Sequence, residues 1–477
     1  MLSTRHKTKI VATVGPASDH LSILERMIQA GMAVARINLA HGNQDSHSQT
    51  IEKIRQAAQK VGHRVAILAD LPGPKLRIGT IDPDPIQLQA GDPFILTTED
   101  TIGSAFLASV GFPQLPQAVA PGDPIFLNDG FIELRVESVE GNRIRCRIIV
   151  GGELRSHKGI NIPKLRIPLT VFTNHDEELL EFACSKGADA ISISFVACAD
   201  DVNRVRNATR KLGLDPFLIA KIERAAALEN IDAILEAADG IMVARGDLGV
   251  ETAIETIALT QKRLIRKANL VGKPVITATQ MLESMVDHNR PTRAEATDVA
   301  NAVLDGTDAV MLSEESALGN FPVEAVRMLG QIAHHAEYEH SQNMNSPTLD
   351  SLHRKSVQIQ DVISLNVVTA VQHLGVKYIF TPTETGTTSR RIARFHLPGW
   401  IIALSPHPVT CQQLLFSYGI LPVCTYDDTR PWDVIAREWL REHRITKGPV
   451  VITQGPSRGH PGGTNRLDII DLEKEIS

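Results

Sequence analysis

Short apolar runs recur through the first two thirds of the chain, separated by longer amphipathic stretches. The runs cover residues 9–15, 34–40, 65–70, 190–195, 217–223, 240–246, 274–280 and 309–313, and they are nearly continuous in Val, Ile, Ala and Leu. Such runs suit strands buried on both faces. Between most of them the apolar positions fall at helical spacing, over residues 21–30, 44–61, 176–186, 227–238, 256–271 and 291–304. Eight strand–helix units predict an α/β chain built on a (β/α)8 barrel, with functional groups on the loops after the strands.

The pattern breaks once, between the third and fourth runs. From 73 to 167 it becomes punctuated by Gly and Pro and alternates with period two, as in Phe131-Ile132-Glu133-Leu134-Arg135-Val136. This predicts an all-β domain inserted in a βα loop, hanging over the barrel mouth as a lid. The barrel then occupies 1–72 and 168–340, with a last helix over 326–340. The polar stretch 341–347 reads as a linker. Beyond it, strands expected at 378–381, 401–404, 423–426 and 450–453 alternate with helical patterns, which predicts an open α/β domain over 348–477.

Polar residues collect at the ends of successive buried runs: Arg36 and Asn38, Asp70, Lys221 and Glu223, Asp247, Thr279, and Ser313. Lys221 and Glu223 are two apart, so a strand points both to one face. Neighbouring parallel strands lie about 5 Å apart, which lets Glu223 and Asp247 share one cation beside the Lys221 ammonium. A buried structural ion pair is the competing reading. Arg36 offers a rigid fork for phosphate or a salt bridge to Asp70, and the sequence leaves both open. Gly246-Asp247-Leu248-Gly249 reads either as a plain turn or as an anion-binding helix start. His41 reads as a proton carrier or as a hydrogen-bonded loop residue. In the last domain, 383–390 is a hydroxyl-rich loop opening a helix, fit either to cradle a phosphate or simply to cap the helix.

Composition narrows the function. The 477 residues are 43% hydrophobic and 22% charged, as in ordinary globular proteins. A net charge of −6 without a long basic run argues against nucleic acid or an anionic membrane as partner. No apolar stretch approaches the roughly 20 residues of a membrane span, and no signal-peptide pattern follows Met1. The five cysteines are scattered, which predicts reduced thiols in a cytoplasmic protein. His334, His335 and His340 share a helix without zinc-site spacing, and neither a Walker A nor a Rossmann fingerprint occurs.

Three stretches carry a family name. Residues 7–18, with Lys7-Thr8-Lys9-Ile10-Val11, the segment Ala35-Arg36-Ile37-Asn38-Leu39-Ala40-His41-Gly42, and the block 220–317 closely resemble the pyruvate kinases, in a compact bacterial-type form. The block holds Ala244-Arg245-Gly246-Asp247-Leu248-Gly249, Ala278-Thr279-Gln280-Met281-Leu282-Glu283-Ser284 and Arg290-Pro291-Thr292-Arg293-Ala294-Glu295. The resemblance implies phosphoryl transfer from phosphoenolpyruvate to ADP, giving pyruvate and ATP in glycolysis. It implies that Lys221 stabilises the transferring phosphoryl group, and that Glu223 and Asp247 hold Mg2+, with Mn2+ as a substitute. Arg36 would contact phosphate, the backbone at Gly246 and Asp247 the substrate, and Thr279 its carboxylate. Thr279 and Ser313 would line a proton relay to enolpyruvate. Asn38, His41, Arg77 and Lys158 would face the nucleotide. Thr383, Thr385, Gly386, Thr387, Thr388, Ser389 and Arg458 resemble the loops that bind a sugar-phosphate effector, and a homotetramer is implied.

The chain departs from the family pattern at four places. Ala40 replaces a serine that ligates K+, and Lys75 replaces a glutamate associated with K+ dependence. Lys75 thereby supplies a charge near Asp70 that K+ would otherwise bring, which predicts activity without K+. Glu314 stands where Gly or Ala is common, and Arg224-Ala225-Ala226 replaces a more polar segment. Two other functions fit the same residues: a barrel lyase or aldolase acting through a Mg2+-bound enolate, and an inactive metabolite-binding regulator.

Overall fold

The computed structural model describes residues 6–74, 76–128, 130–163, 165, 170–342, 358–426, 430–455 and 463–473, without the side chains of 340–342. Lys75, Arg458, the lid boundary at 167 and the linker from 343 onward lie outside the described residues. Eight parallel strands close into a barrel: β1 (Lys9–Thr13), β2 (Met32–Asn38), β3 (Ala66–Leu71), β4 (Ala190–Ile193), β5 (Phe217–Ile222), β6 (Gly240–Ala244), β7 (Val275–Ala278) and β8 (Ala309–Leu312). Each follows an apolar run read from the sequence.

Strand alternation builds the inside of the barrel. Val11, Val34, Ala66, Leu68, Ala190, Phe217, Ile219, Met242, Ile276 and Met311 form one interior cluster. Their neighbours, such as Ile10, Ile67, Leu218 and Val243, pack outward on the helices. The same inward parity continued toward the C-terminal strand ends delivers Thr13, Arg36, Asn38, Asp70, Ser192, Ser194, Lys221, Glu223 and Ser313. The interior is therefore apolar at the floor and polar at the mouth.

The helices follow the sequence closely. Leu21–Ala30 and Gln44–Val61 match in full, and the latter opens on an Asn43–Ser46 capping box. The stretch 227–238 forms two short helices, Ala225–Glu229 and Ile231–Ala237, rather than one. Arg245–Glu251 is helical at once after β6, so the Gly246–Gly249 segment is a helix start and not a turn. The helix expected to end at 340 runs over Pro322–Gln342, which takes in the first residues assigned to the linker.

The insertion folds on its own core, with Phe94, Leu96, Ile125, Leu134 and Ile144 fully buried. It forms a six-stranded sheet and a two-stranded one. Gly130 carries the lid onto the barrel: its φ is 90°, and a Cβ there would stand 3.2 Å from Val250 in the helix Arg245–Glu251. The bare backbone is what allows this approach.

The C-terminal domain has a five-stranded sheet with four parallel strands, Tyr378–Pro382, Trp400–Ser405, Ile420–Cys424 and Pro449–Gln454, and an antiparallel edge, Arg466–Asp471. Two expectations need correction. The third strand lies three residues earlier than 423–426, because Ile420 pairs with Ile401 and is fully buried. The edge strand was not foreseen, since its half-exposed residues lack an apolar run. The short helix Leu414–Phe416 plugs the barrel floor: Leu415 and Phe416 join the interior cluster, and Phe416 stacks on Phe217 at 5.6 Å and 13°. Phe416→Ala is expected to cost about 3–5 kcal/mol. Urea unfolding followed by intrinsic fluorescence checks this, and a loss below about 1 kcal/mol would contradict the plug.

Candidate active site

The strand-end side chains meet in one cavity of about 140 Å3 at the barrel mouth, lined by Arg36, Asn38, Ala40, His41, Asp70, Arg77, Ser194, Lys221, Glu223, Asp247, Thr279 and Ser313. All eight polar residues singled out at the strand ends are present. Lys158 is not part of that lining. It sits in the lid, where its carbonyl accepts from Ile78 N at 3.0 Å. Arg77 lines the cavity and donates to His157 O at 2.8 Å.

Asp70 is the hub. It is 1% exposed and accepts from Arg36 Nη2 at 2.5 Å, Arg36 Nε at 2.9 Å and Ser192 Oγ at 2.6 Å, with Lys221 Nζ 3.5 Å away. Burial would raise its carboxyl, but Lys221 and Arg36 outweigh burial and hold it below the ordinary range. Arg36 also donates to Thr13 Oγ1 at 2.9 Å. The two readings of Arg36 are thus not exclusive: the Asp70 bridge fixes the fork in the cavity wall.

Lys221 is held on three sides. Its Nζ is 2.8 Å from Ser194 Oγ, 2.8 Å from Glu223 Oε1 and 3.5 Å from Asp70. Burial pulls its pKa down, but the Asp70 and Glu223 carboxylates more than reverse this and keep the ammonium protonated. Glu223 is 1% exposed, and its second oxygen accepts from Phe195 N at 2.7 Å. Burial pushes the Glu223 carboxyl up; Lys221 opposes this, and the charge of Asp247 adds to it. A carboxylate pair that repels across a cavity is a seat for a cation. Among the described residues no cluster of three or more His, Cys, Asp or Glu forms a fuller metal site. Two carboxylates suit Mg2+, which keeps several waters and completes its shell with substrate oxygens.

The far wall is built by a residue the sequence reading passed over. Thr279 and Gln280 both have positive φ, 66° and 53°, a conformation costly for a β-branched residue. Arg245 holds that turn, with Nε on Ala278 O at 3.2 Å and Nη2 on Thr279 O at 2.7 Å, and it is anchored by Asp298 at 2.6 Å. The Thr279 hydroxyl accepts from Gly246 N at 2.9 Å. Ser194 was also missed, although Ile193-Ser194-Phe195 repeats the strand-end signal. Gly73, at the lid departure with φ 61°, packs where a Cβ would be 3.1 Å from Ser194. Glu314 is exposed and outside the cavity lining, whereas Glu315 is buried and binds Ser313 N at 2.6 Å and Leu282 N at 3.1 Å.

In the C-terminal domain the hydroxyl loop precedes a helix at Thr387–Ala393. Gly386, at φ 79°, gives its N–H to Thr383 Oγ1 at 2.9 Å. Thr388 bonds Thr464 across the two loops at 2.7 Å, and Thr385 bonds Thr387 at 2.8 Å. Ser389 is buried against Thr381 at 2.7 Å, so it supports the loop from beneath. Glu384, within the same loop, bonds His407 Nε2 at 2.7 Å.

Comparison with known proteins agrees with this geometry. Residues 5–326 match the family described as "Pyruvate kinase, barrel domain", and residues 361–470 match "Pyruvate kinase, alpha/beta domain". A pyruvate kinase of Thermococcus litoralis is 48% identical over 98% of this chain and 99% of that protein. One from Clostridium acetobutylicum is 39% identical over 98% of this chain and 100% of that protein. The crystal structure of a pyruvate kinase from Cryptosporidium parvum superposes with a TM-score of 0.90 at 34% identity, covering 98% of this chain and 97% of that one. The two family models cover most of the chain and these relatives match it over nearly its full length, and the chain belongs to the pyruvate kinase family.

Proposed function

We propose that the barrel mouth transfers a phosphoryl group from phosphoenolpyruvate to ADP, leaving enolpyruvate to take a proton and become pyruvate. The observation that carries this is the pairing of two fixed cations, Arg36 and Lys221, with the repelling carboxylates Glu223 and Asp247 in one cavity. Phosphoryl transfer asks mainly for positioning and charge neutralisation. Arg36, clamped by Asp70, orients the phosphate. Lys221 sits where charge spreads over the transferring oxygens and needs no reorganisation to meet it. Glu223 and Asp247 would hold Mg2+, which supplies Lewis-acid neutralisation of substrate oxygens when bound. Thr279, set by Arg245, orients the substrate carboxylate, and Ser313 lies on the same rim for a proton relay. Asn38, His41 and Arg77 would face the nucleotide, with Lys158 delivered by movement of the lid.

The reaction would run without K+. Ala40 lines the cavity with no side-chain oxygen to offer a cation, and Lys75 brings its own charge in the sequence. A coupled assay for pyruvate, with phosphoenolpyruvate, ADP and Mg2+ in K+-free buffer, tests both parts. Full turnover is expected; none under any salt sinks the phosphotransfer reading, and a manyfold rise on adding K+ sinks only its K+ independence. The hydroxyl loop of the C-terminal domain would take a sugar-phosphate effector through Thr385, Thr387 and Thr388, with Arg458 as a further candidate from the sequence. A homotetramer fits the exposed apolar Ile254 and Leu259 near the barrel rim, 72% and 69% exposed. No helix among the described residues is long and apolar enough to cross a membrane.

A further inference from the structure

The five cysteines are scattered in sequence, but folding brings two of them together. Cys411 lies in the short helix Pro408–Gln413, and Cys424 ends the strand Ile420–Cys424. Strand alternation puts Ile420, Pro422 and Cys424 on one face. Ile420 shares a core cluster with Leu414, the residue that follows the helix, so this face looks toward Cys411. The sheet register pairs Cys424 with Ser405, whose carbonyl accepts from Thr425 N at 2.8 Å and from Cys411 Sγ at 4.0 Å. Both cysteines thus meet at Ser405, Cys411 through its Sγ and Cys424 through the strand register. Cys411 is buried and Cys424 is partly exposed.

We propose that Cys411 and Cys424 form a reversible disulfide, a redox clamp that fixes the helix Pro408–Gln413 to the sheet edge of the C-terminal domain. The helix is a crossroads. Thr410 Oγ1 donates to Glu384 O in the hydroxyl loop at 2.8 Å. Gln412 Nε2 donates to Val65 O at the base of β3 at 3.1 Å, and Gln413 Nε2 to Asp215 O before β5 at 3.2 Å. Those two strands carry Asp70 and Lys221 at their other ends. Closing the clamp therefore stiffens the link between the loop and the barrel floor.

A disulfide of the glutathione class is a sufficient oxidant. The more accessible Cys424 reacts first: its thiolate attacks one glutathione sulfur, and one glutathione leaves as a thiol with the proton that Cys424 released. Burial, with Cys424 beside it, pushes the Cys411 thiol up to about 12, while Arg64 pulls it down. Cys411 is therefore the slower of the two to react, since burial disfavours its thiolate. Its thiolate then attacks the Cys424 sulfur, the bond to glutathione breaks, and the second glutathione leaves carrying the Cys411 proton. Two cysteines are oxidised by two electrons, and one glutathione disulfide becomes two thiols. Reversible disulfides of this kind are the ones reducing compartments tolerate.

The test uses the full chain, oxidised with excess glutathione disulfide, alkylated, and digested without reductant. Chymotrypsin cuts after Phe416 and Tyr418, between the two cysteines, so the clamp appears as a peptide pair joined through Cys411 and Cys424 and is lost on dithiothreitol. Amide exchange over 410–413 is expected to slow severalfold in the linked protein. Cys424→Ser and Cys411→Ala, each tested separately, should give no linked pair. Absence of the pair from the wild-type protein overturns the proposal, as does a glutathione adduct that persists on Cys424 without closing. Unchanged exchange over 410–413 in linked protein overturns the clamp.

Discussion

Lys221→Met is expected to lower kcat by about 10^3-fold while leaving the KM for ADP within about twofold. The side chain lengths are similar, so the substitution removes charge more than volume. Lys221 is fixed by Ser194, Glu223 and Asp70 before substrate arrives, and a preorganised cation acts mainly on charge that develops in the transition state. Its loss also leaves Glu223 without its largest counter-charge, and Glu223 is already pushed up by burial and by Asp247. The variant should therefore need more Mg2+ for half-maximal rate, since protonated Glu223 competes with the metal. Steady-state kinetics over a Mg2+ titration decides this. Phosphoenolpyruvate-dependent turnover equal to wild type would remove Lys221 from the reaction.

Asp70→Asn is expected to reduce kcat/KM for phosphoenolpyruvate by about 10^2-fold and to cost about 3–5 kcal/mol of stability. The carboxylate takes two bonds from Arg36 and one from Ser192, and it faces the Lys221 ammonium. An amide keeps one acceptor but turns N–H groups toward donors, so Arg36 loses its fixed direction and two buried cations lose their shared counter-ion. The pH dependence has a definite sign. Asp70 is depressed in the folded state, so its contribution is present above the unfolded value near 3.9 and is lost only as pH falls through the lower folded value. Wild-type denaturation below that window should show the loss, and the Asn variant should lack that acid-side component. An Asn variant with wild-type kinetics would mean that Arg36 needs no partner to hold its fork.

Stability and catalysis meet in the same residues here because the barrel has one interior. Phe217 and Lys221 lie four apart on one inward face: Phe217 stacks on Phe416 at the floor, and Lys221 emerges at the mouth. A change at the floor is thus transmitted along a strand that also carries a cation of the site. That is the physical basis for regarding the helix Pro408–Gln413 and the plug Leu414–Phe416 as more than a lid on the barrel's blunt end.

The barrel was legible in the sequence because two local properties coincide in it. Strands buried on both faces must be apolar throughout, and polar residues are tolerated only where the strands run out into the mouth. Arg36, Asp70, Lys221, Glu223, Asp247, Thr279 and Ser313 all follow from that rule, and they share one cavity. The lid was equally visible, since its period of two interrupts the helical spacing. Elsewhere local pattern was a poor guide. The strand Ile420–Cys424 was placed too late because Pro422 weakens the run, and only pairing with Ile401 fixes its register. The edge strand Arg466–Asp471 has no apolar run at all and exists because Pro449–Gln454 lies beside it.

What the residues by themselves determined was which groups face inward and at which end of each strand they sit, since alternation is a property of the backbone. What only the tertiary structure decided was who meets whom across long separations. Arg245 braces the strained Thr279 turn, Ser194 joins Lys221, Phe416 closes the floor, and Cys411 and Cys424 meet at Ser405. None of these partnerships has a local signature, because each depends on strands and helices that are brought together by closure of the barrel and by docking of the C-terminal sheet beneath it.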